Sequence, residues 1–220
     1  MAKTATNPSP RSTYHHGNLS ETLVSAGLAI AAEGGPEALS LREAARRAGV
    51  SPTAVYRHFD NRAALVTAVK HVVLARLAAA MGKALARPLP RGMDATECSR
   101  EHLIRIGSAY VDFALANPGE YRVIFSEATF PYEPQRSADG ECGPADPYGI
   151  LSTVLDEMVV AGALAAEKRP GAEVPMWALV HGLSSLILQG PYADFSRRER
   201  AAMVDQSLRL VISGMPRDVP

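Results

Sequence analysis

The stretch "AGVSPTAVYRHFDNRAAL", Ala48 to Leu65, fits a turn, a short helix, a break and the start of a second helix into eighteen residues. Gly49 permits a tight turn because glycine adopts positive φ without steric cost. Ser51 then caps a helix, and Pro52 occupies its first turn, where a missing N–H leaves no bond unmade. The pattern predicts a third helix that runs only to about Phe59 and carries Tyr56, Arg57 and His58 in succession. Asn61 caps a fourth. A helix so short buries little surface, so its side chains are there to be presented.

On the N-terminal side, Ser40 opens a second helix with Glu43 at its third position, the pattern of a capping box. Leu41, Ala44, Ala45 and Ala48 give it an apolar face. Asn18 with Glu21 reads as the start of a first helix whose Leu19, Leu23, Ala26, Gly27 and Ile30 recur at helical spacing until Gly34-Gly35. Residues 1–13, rich in Ser, Thr and Pro, are expected to form a disordered arm. On the C-terminal side, a fourth helix from about Arg62 to Ala86 carries the stripe Leu65, Val69, Val72, Val73, Leu77 and Ala80. A linker, "RPLPRGM", precedes a fifth helix that starts at Asp94 with Glu97 and stops at Asn117-Pro118. "PGEYRVIFSE" makes a short sixth, and Phe130 to Pro147 reads as a mobile surface loop, as fit for a lid or partner surface as for simple disorder. Tyr148 to Glu167, about Glu173 to Leu188, and Arg197 to Ile212 complete the set. Without an alternating strand or a repeat, the fold class is all-α with about nine helices.

The 220 residues suffice for one large domain or two modest ones, and 47% hydrophobic with 21% charged residues excludes wholesale disorder. No run is read as the ~18 apolar residues that span a membrane, and the N-terminus lacks the apolar core of a secretory signal. A cytoplasmic location follows, which two cysteines far apart, Cys98 and Cys142, also suit. Formal net charge is zero, yet residues 1–75 hold eight Lys/Arg against five Asp/Glu, a net of +3, balanced by −3 in the remainder. That layout fits a DNA-binding head on a regulatory body.

Two short helices joined by "RAGVSP" match a helix-turn-helix, with Val50 plugging the space between them. Such a pair directs the start of its second helix at the major groove. From Ser51 and Pro52 that start leads into Thr53 and Ala54, slim enough for close approach and able to touch a thymine methyl. Tyr56 and His58 suit flanking phosphates, and Arg57 can reach a base or the backbone. Arg42 can reach a guanine edge, where a bidentate contact is worth ~1–3 kcal/mol. Helix starts at Asn18 and Asn61 suit phosphate through free N–H groups, as do Ser40 and the pair His15-His16 beside the head. The same residues allow a plainer reading, in which Ser-Pro is simply a good helix start and Tyr-Arg-His a solvated face.

In the C-terminal half, Tyr110, Phe113, Leu115, Phe125, Met158 and Trp177 can line an apolar cavity, with His102, Asp112 and His181 as polar groups to orient a ligand. They fit an ordinary core equally well, because most helical apolar stripes are core. No metal or other cofactor is expected, since His71, His102 and His181 lack the clustered spacing of a metal site. Neither is an enzyme: there is no G-x-S-x-G, no phosphate-binding glycine loop, no telling pair of carboxylates and no His adjacent to a cysteine.

The run "LSLREAARRAGVSPTAVYRHFDNRAALVTAV" resembles the DNA-binding domain of TetR-type (tetracycline-repressor) regulators. Its L-x-x-x-A-x-x-A-G-V-S core, Y-x-H-F and capped long helix carry the likeness. Arg62 fills the usual lysine place, and Ala63 stands where an acidic residue is usual. "YHHGNL", Tyr14 to Leu19, and "WALVHG", Trp177 to Gly182, resemble features of a subgroup with a W-x-x-x-H-G signature. The resemblance implies a helix-turn-helix domain over 14–61, with Arg62 joining its DNA-binding residues. It also implies a connecting helix over 62–86 and a ligand-binding and dimerisation domain over 87–220. It further implies a homodimer through the last two helices, bearing Trp177-His181 and Leu208-Val211, on a palindromic DNA operator, released by a small-molecule effector. An activator of the same family, or a helical carrier or interaction protein with a silent head, is the alternative.

Overall fold

Asn61 opens the axis of the fold. Its side-chain oxygen accepts the Ala64 N–H at 2.9 Å, and the helix it starts buries Leu65, Val66, Val69, Val73 and Leu77 completely. The computed structural model describes residues 16–126 and 146–215, and of residues 16–18 only the backbone. Nine α-helices and no strand occur among the described residues. They are α1 (His16–Gly34), α2 (Leu41–Ala48), α3 (Pro52–Val55), α4 (Arg62–Leu85), α5 (Ala95–Ala116), α6 (Pro118–Ile124), α7 (Pro147–Val160), α8 (Glu173–Leu188) and α9 (Arg197–Ser213). The chain is all-α, as expected.

Helix α4 packs against α1, α5, α6 and α7, and α5 packs in turn against α7, α8 and α9. A helix enclosed this way is apolar around much of its circumference. By length and composition α4 is therefore apolar enough to cross a membrane, with a mean hydropathy of 1.6, contrary to the sequence expectation. Half of that window is buried inside the fold, which is where its apolar character is used.

Four local expectations change. Helix α1 already includes Asn18, so its start lies earlier than the Asn18 cap. At the start of α2, Ser40 Oγ accepts the Glu43 N–H at 3.2 Å, but the Glu43 carboxylate turns to Arg46 and Arg47 and leaves the reciprocal half of the box unmade. Helix α3 ends at Val55, and Tyr56, Arg57 and His58 continue as turns. Helix α7 stops at Val160, because Gly162 takes φ 68° and redirects the chain before a 3-10 turn at Ala166–Lys168.

Long-range bonds hold the connections. Arg105 donates to the Arg87 carbonyl at 2.6 Å and the Pro88 carbonyl at 3.2 Å, pinning the α4–α5 linker. Arg169 reaches Asp156 at 2.6 Å and Glu173 at 2.8 Å and ties α7 to α8. The expected arm at 1–13 and the loop expected over 130–147, up to residue 145, lie outside the described residues, as does Cys142; Cys98 is a free thiol.

Candidate nucleic-acid interface and ligand cavity

The turn between α2 and α3 is built from Gly49, at φ 68°, and from the Val50 N–H, which donates to the Ala45 carbonyl at 3.0 Å. Val50 packs half-buried against the core, the plug expected of it. Ser51 Oγ accepts the Ala54 N–H at 3.3 Å and starts α3. Val55 and Phe59 anchor the segment, at 0% and 6% exposure. Around them Ser51, Pro52, Thr53, Tyr56 and Arg57 are exposed, and Ala54 and His58 half-buried. Tyr56 leaves a large aromatic ring 58% exposed, which costs hydrophobic burial that an inward position would have supplied.

The arginines of the head divide by partner. Arg46 and Arg47 share Glu43 at 2.7 and 2.9 Å, and Arg47 also meets Glu33 at 2.6 Å, stapling α2 to the end of α1. Arg62 donates to the Leu39 carbonyl at 2.8 Å and to the Pro36 carbonyl, so its guanidinium braces the start of α4 against the α1–α2 connection. Arg42 and Arg57 are exposed and have no ion-pair partner among the described residues. Ser40 is half-buried at its cap. His15 lies outside the described residues, and His16 and Asn18 fall within α1.

Seven of the nine candidate cavity residues separate. Phe125, Trp177 and His181 come together with Ile124, Tyr148 and Val174 around a largely apolar cavity of about 400 Å³. A second, more polar cavity of about 580 Å³ shares Phe125 and His181 with the first and is lined as well by Glu37, Arg62, Tyr121 and Arg122. Tyr110 sits behind this wall, edge-on to Trp177 and Tyr121 with ring centroids 5.6 and 5.9 Å away. It lines only a small void of about 20 Å³, room for about one water. Its hydroxyl is buried near Tyr121 without a well-formed hydrogen bond, and burial pushes the phenol up.

The other three residues lie elsewhere. Met158 is fully buried in the core. His102 pairs with Glu157 at 2.9 Å across α5 and α7. Phe113 faces a separate groove beside Asp112 and Arg209. Spacing along one helix tells which residues share a face, but not which neighbour that face meets.

Four residues of α6, Gly119 to Arg122, were not singled out individually by sequence. Tyr121 places its hydroxyl 2.6 Å from His181 Nδ1. Burial holds the imidazole below its ordinary range and the Tyr121 phenol above its own. With the phenol as donor, a neutral His181 keeps its proton on Nε2. Glu120, next in sequence, receives two bonds from Arg76 of α4 at 2.8 and 2.9 Å. Arg122 approaches Glu37, in the 3-10 turn Pro36–Ala38, at 3.7 Å. Gly119 lies so near the Ala31 carbonyl of α1 that a Cβ there would collide with it. Helix α6 thus touches the head, the connecting helix and the cavity. In the sequence this segment stands out only as the short helix of "PGEYRVIFSE".

A capped helix-turn-helix joined through a long helix to an all-α body with a cavity defines a DNA-binding transcription regulator. Residues 23–69 match the family of bacterial regulatory proteins, tetR family, and residues 103–211 match the tetracyclin repressor-like C-terminal domain. The chain belongs to the TetR family, whose members are transcription regulators and not enzymes. No curated protein sequence matches it.

Among solved structures, a Rhodococcus sp. RHA1 protein of unknown function is similar, with a TM-score of 0.67 and 26% identity, over 90% of this chain and 98% of that one. A TetR family transcription regulator from Marinobacter aquaeolei VT8 has a TM-score of 0.59 at 19% identity, over 87% and 94%. The TetR family regulator PfmR from Thermus thermophilus has a TM-score of 0.57 at 18% identity, over 89% and 99%. The last two likenesses concern the fold alone.

Proposed function

We propose that this chain is a cytoplasmic, ligand-responsive repressor that binds a palindromic operator as a homodimer and leaves it when a small molecule fills the cavity at Phe125, Trp177 and His181. In this reading the segment up to residue 61 reads DNA, 62–86 connects, and the chain from 87 binds ligand and pairs. The observation that carries it is the α3 tip, where Thr53, Tyr56 and Arg57 stand in solvent above Val55 and Phe59, which fix the backbone beneath them. Thr53, Ala54 and Arg42 meet base edges. Ser40, Ser51, Tyr56, Arg57 and His58 meet the phosphates on either side, with His15, His16 and Asn18 adding to them. Arg62 acts from behind, as a brace.

Pairing is supported by a surface stripe on α8, Pro175, Leu179, Gly182 and Leu186, and by exposed Leu210 on α9. Leu186 and Leu210 are 43% and 71% exposed. A Cβ at Gly182 would meet no other element among the described residues, although glycine inside a helix costs ~1 kcal/mol relative to alanine. A partner helix approaching closely there accounts for both features.

Operator binding is tested by fluorescence anisotropy and footprinting on an operator selected from random duplexes. Tyr56→Phe and His58→Ala are expected to weaken binding uniformly across sequences, and Arg42→Ala or Thr53→Ala to relax base preference. Affinity should fall steeply with salt as phosphates release counterions. A flat salt response, or four variants with unaltered affinity and footprint, would remove the reading head from α3.

A further inference from the structure

We infer that the effector is an amphipathic carboxylic acid, its apolar body held between Phe125, Tyr148 and Trp177 and its carboxylate on Arg122. This rests on the reading that the double cavity is the effector site. Phe125 and His181 line both chambers, one of them almost wholly apolar and the other polar. A molecule occupying both must be apolar at one end and polar at the other.

Charge decides the nature of the polar end. Among the described lining residues the polar chamber holds two guanidinium groups, Arg62 and Arg122, against one carboxylate, Glu37. Arg62 is fixed on backbone carbonyls. Among the described residues the one ion-pair partner of Arg122 is Glu37 at 3.7 Å, beyond hydrogen-bond distance, with both side chains substantially exposed. Such a pair is weak, whereas a carboxylate gripped by both prongs of a guanidinium forms a strong, directed contact. An amine would face the net positive charge, and an alcohol would leave Arg122 where it is. His181, which lines both chambers, adds a neutral polar group.

The acid also acts on the head. Glu37 belongs to the turn leading from α1 into α2, and Arg122 to α6, so an acid that takes Arg122 displaces a contact between head and body. That competition gives the ligand a differential affinity for the two arrangements, without which no ligand shifts an equilibrium.

Calorimetric titration of the full chain with 4-phenylbutyrate, 4-phenylbutan-1-ol and 4-phenylbutylamine, and with octanoate, 1-octanol and octylamine, tests the class. In at least one series the acid is expected to bind ten-fold or more tighter than the alcohol, with the amine weakest. Arg122→Gln should bring the acid down to the alcohol's affinity without changing the alcohol, and Arg122→Lys should keep most of the preference; circular dichroism checks that both variants fold. Alcohol or amine binding as tightly as acid, failure of both acids to bind, or a preference surviving Arg122→Gln would overturn the proposal. Operator anisotropy separates the two readings. Acid that binds with the expected preference yet leaves operator affinity unchanged supports the ligand class and overturns effector release. Operator release by acid and alcohol alike overturns the ligand class and leaves effector release standing.

Discussion

At Glu43, hydrogen bonds from Arg46 and then Arg47 hold the carboxylate down to about 2, from an ordinary 4.5. A depressed folded value means the interaction is fully present above the unfolded pKa and is lost as pH falls through the folded one. Carboxyl carbon NMR should find Glu43 titrating near 2, with its pairs to Arg46 and Arg47 within α2 lost between about pH 4.5 and 2. A titration near 4.5 would mean the arginines do not hold it in solution. His181 follows the same sign by a different cause. Burial lowers it from 6.5, so the unfolded chain takes up the proton first and stability declines as pH falls below that value. The thermal midpoint should drop between about pH 7.5 and pH 5, and His181→Gln should flatten the drop; an unchanged slope would assign it to another group. At this scale sequence spoke unevenly. Glu43 with Arg46 and Arg47 is visible at three- and four-residue spacing, but the Tyr121 partner of His181, sixty positions away, is not.

Among the elements, α6 is the one whose importance exceeds its seven residues. It lies against α1, α4 and α5, carries the Glu120 pair with Arg76, and ends in the cavity wall at Phe125. Gly119 lets it approach α1, and a methyl group there meets backbone, which cannot rotate aside as a side chain can. Gly119→Ala is therefore expected to destabilise by about 1–3 kcal/mol, the usual cost of overpacking a tight contact, measured by urea unfolding. A loss under about 0.5 kcal/mol would mean that α1 and α6 separate readily. Caps and breakers make the helices legible: Ser40, Ser51, Asn61 and Asp94 each start the expected element, and Asn117-Pro118 divides α5 from α6. Helix α7 is shorter than its sequence suggests because "AGALAAE" is good helical sequence, and only the left-handed Gly162 stops it.

For the whole molecule the open question of assembly has a local test. Gly182→Trp and Leu210→Glu should each leave a species near the 23.4 kDa of one chain in sedimentation, where the unaltered protein is expected at twice that mass. Gly182→Ala should keep the pair and the fold. Wild-type protein sedimenting as one chain would overturn the pairing, and both disruptive variants remaining paired would place the interface elsewhere.

The sequence by itself determined the helices, the turn at Gly49 and the α3 tip, because capping, φ preference and hydrophobic period act over a few residues. Tertiary structure alone decided which arginines stay in solvent and which brace the head, since Glu33, Leu39 and Pro36 reach Arg47 and Arg62 only after folding. It likewise moved His102, Phe113 and Met158 out of the cavity and brought Tyr121 and Arg122 into it. Those assignments depend on which helix faces are opposed, and long-range packing sets that where no local spacing records it.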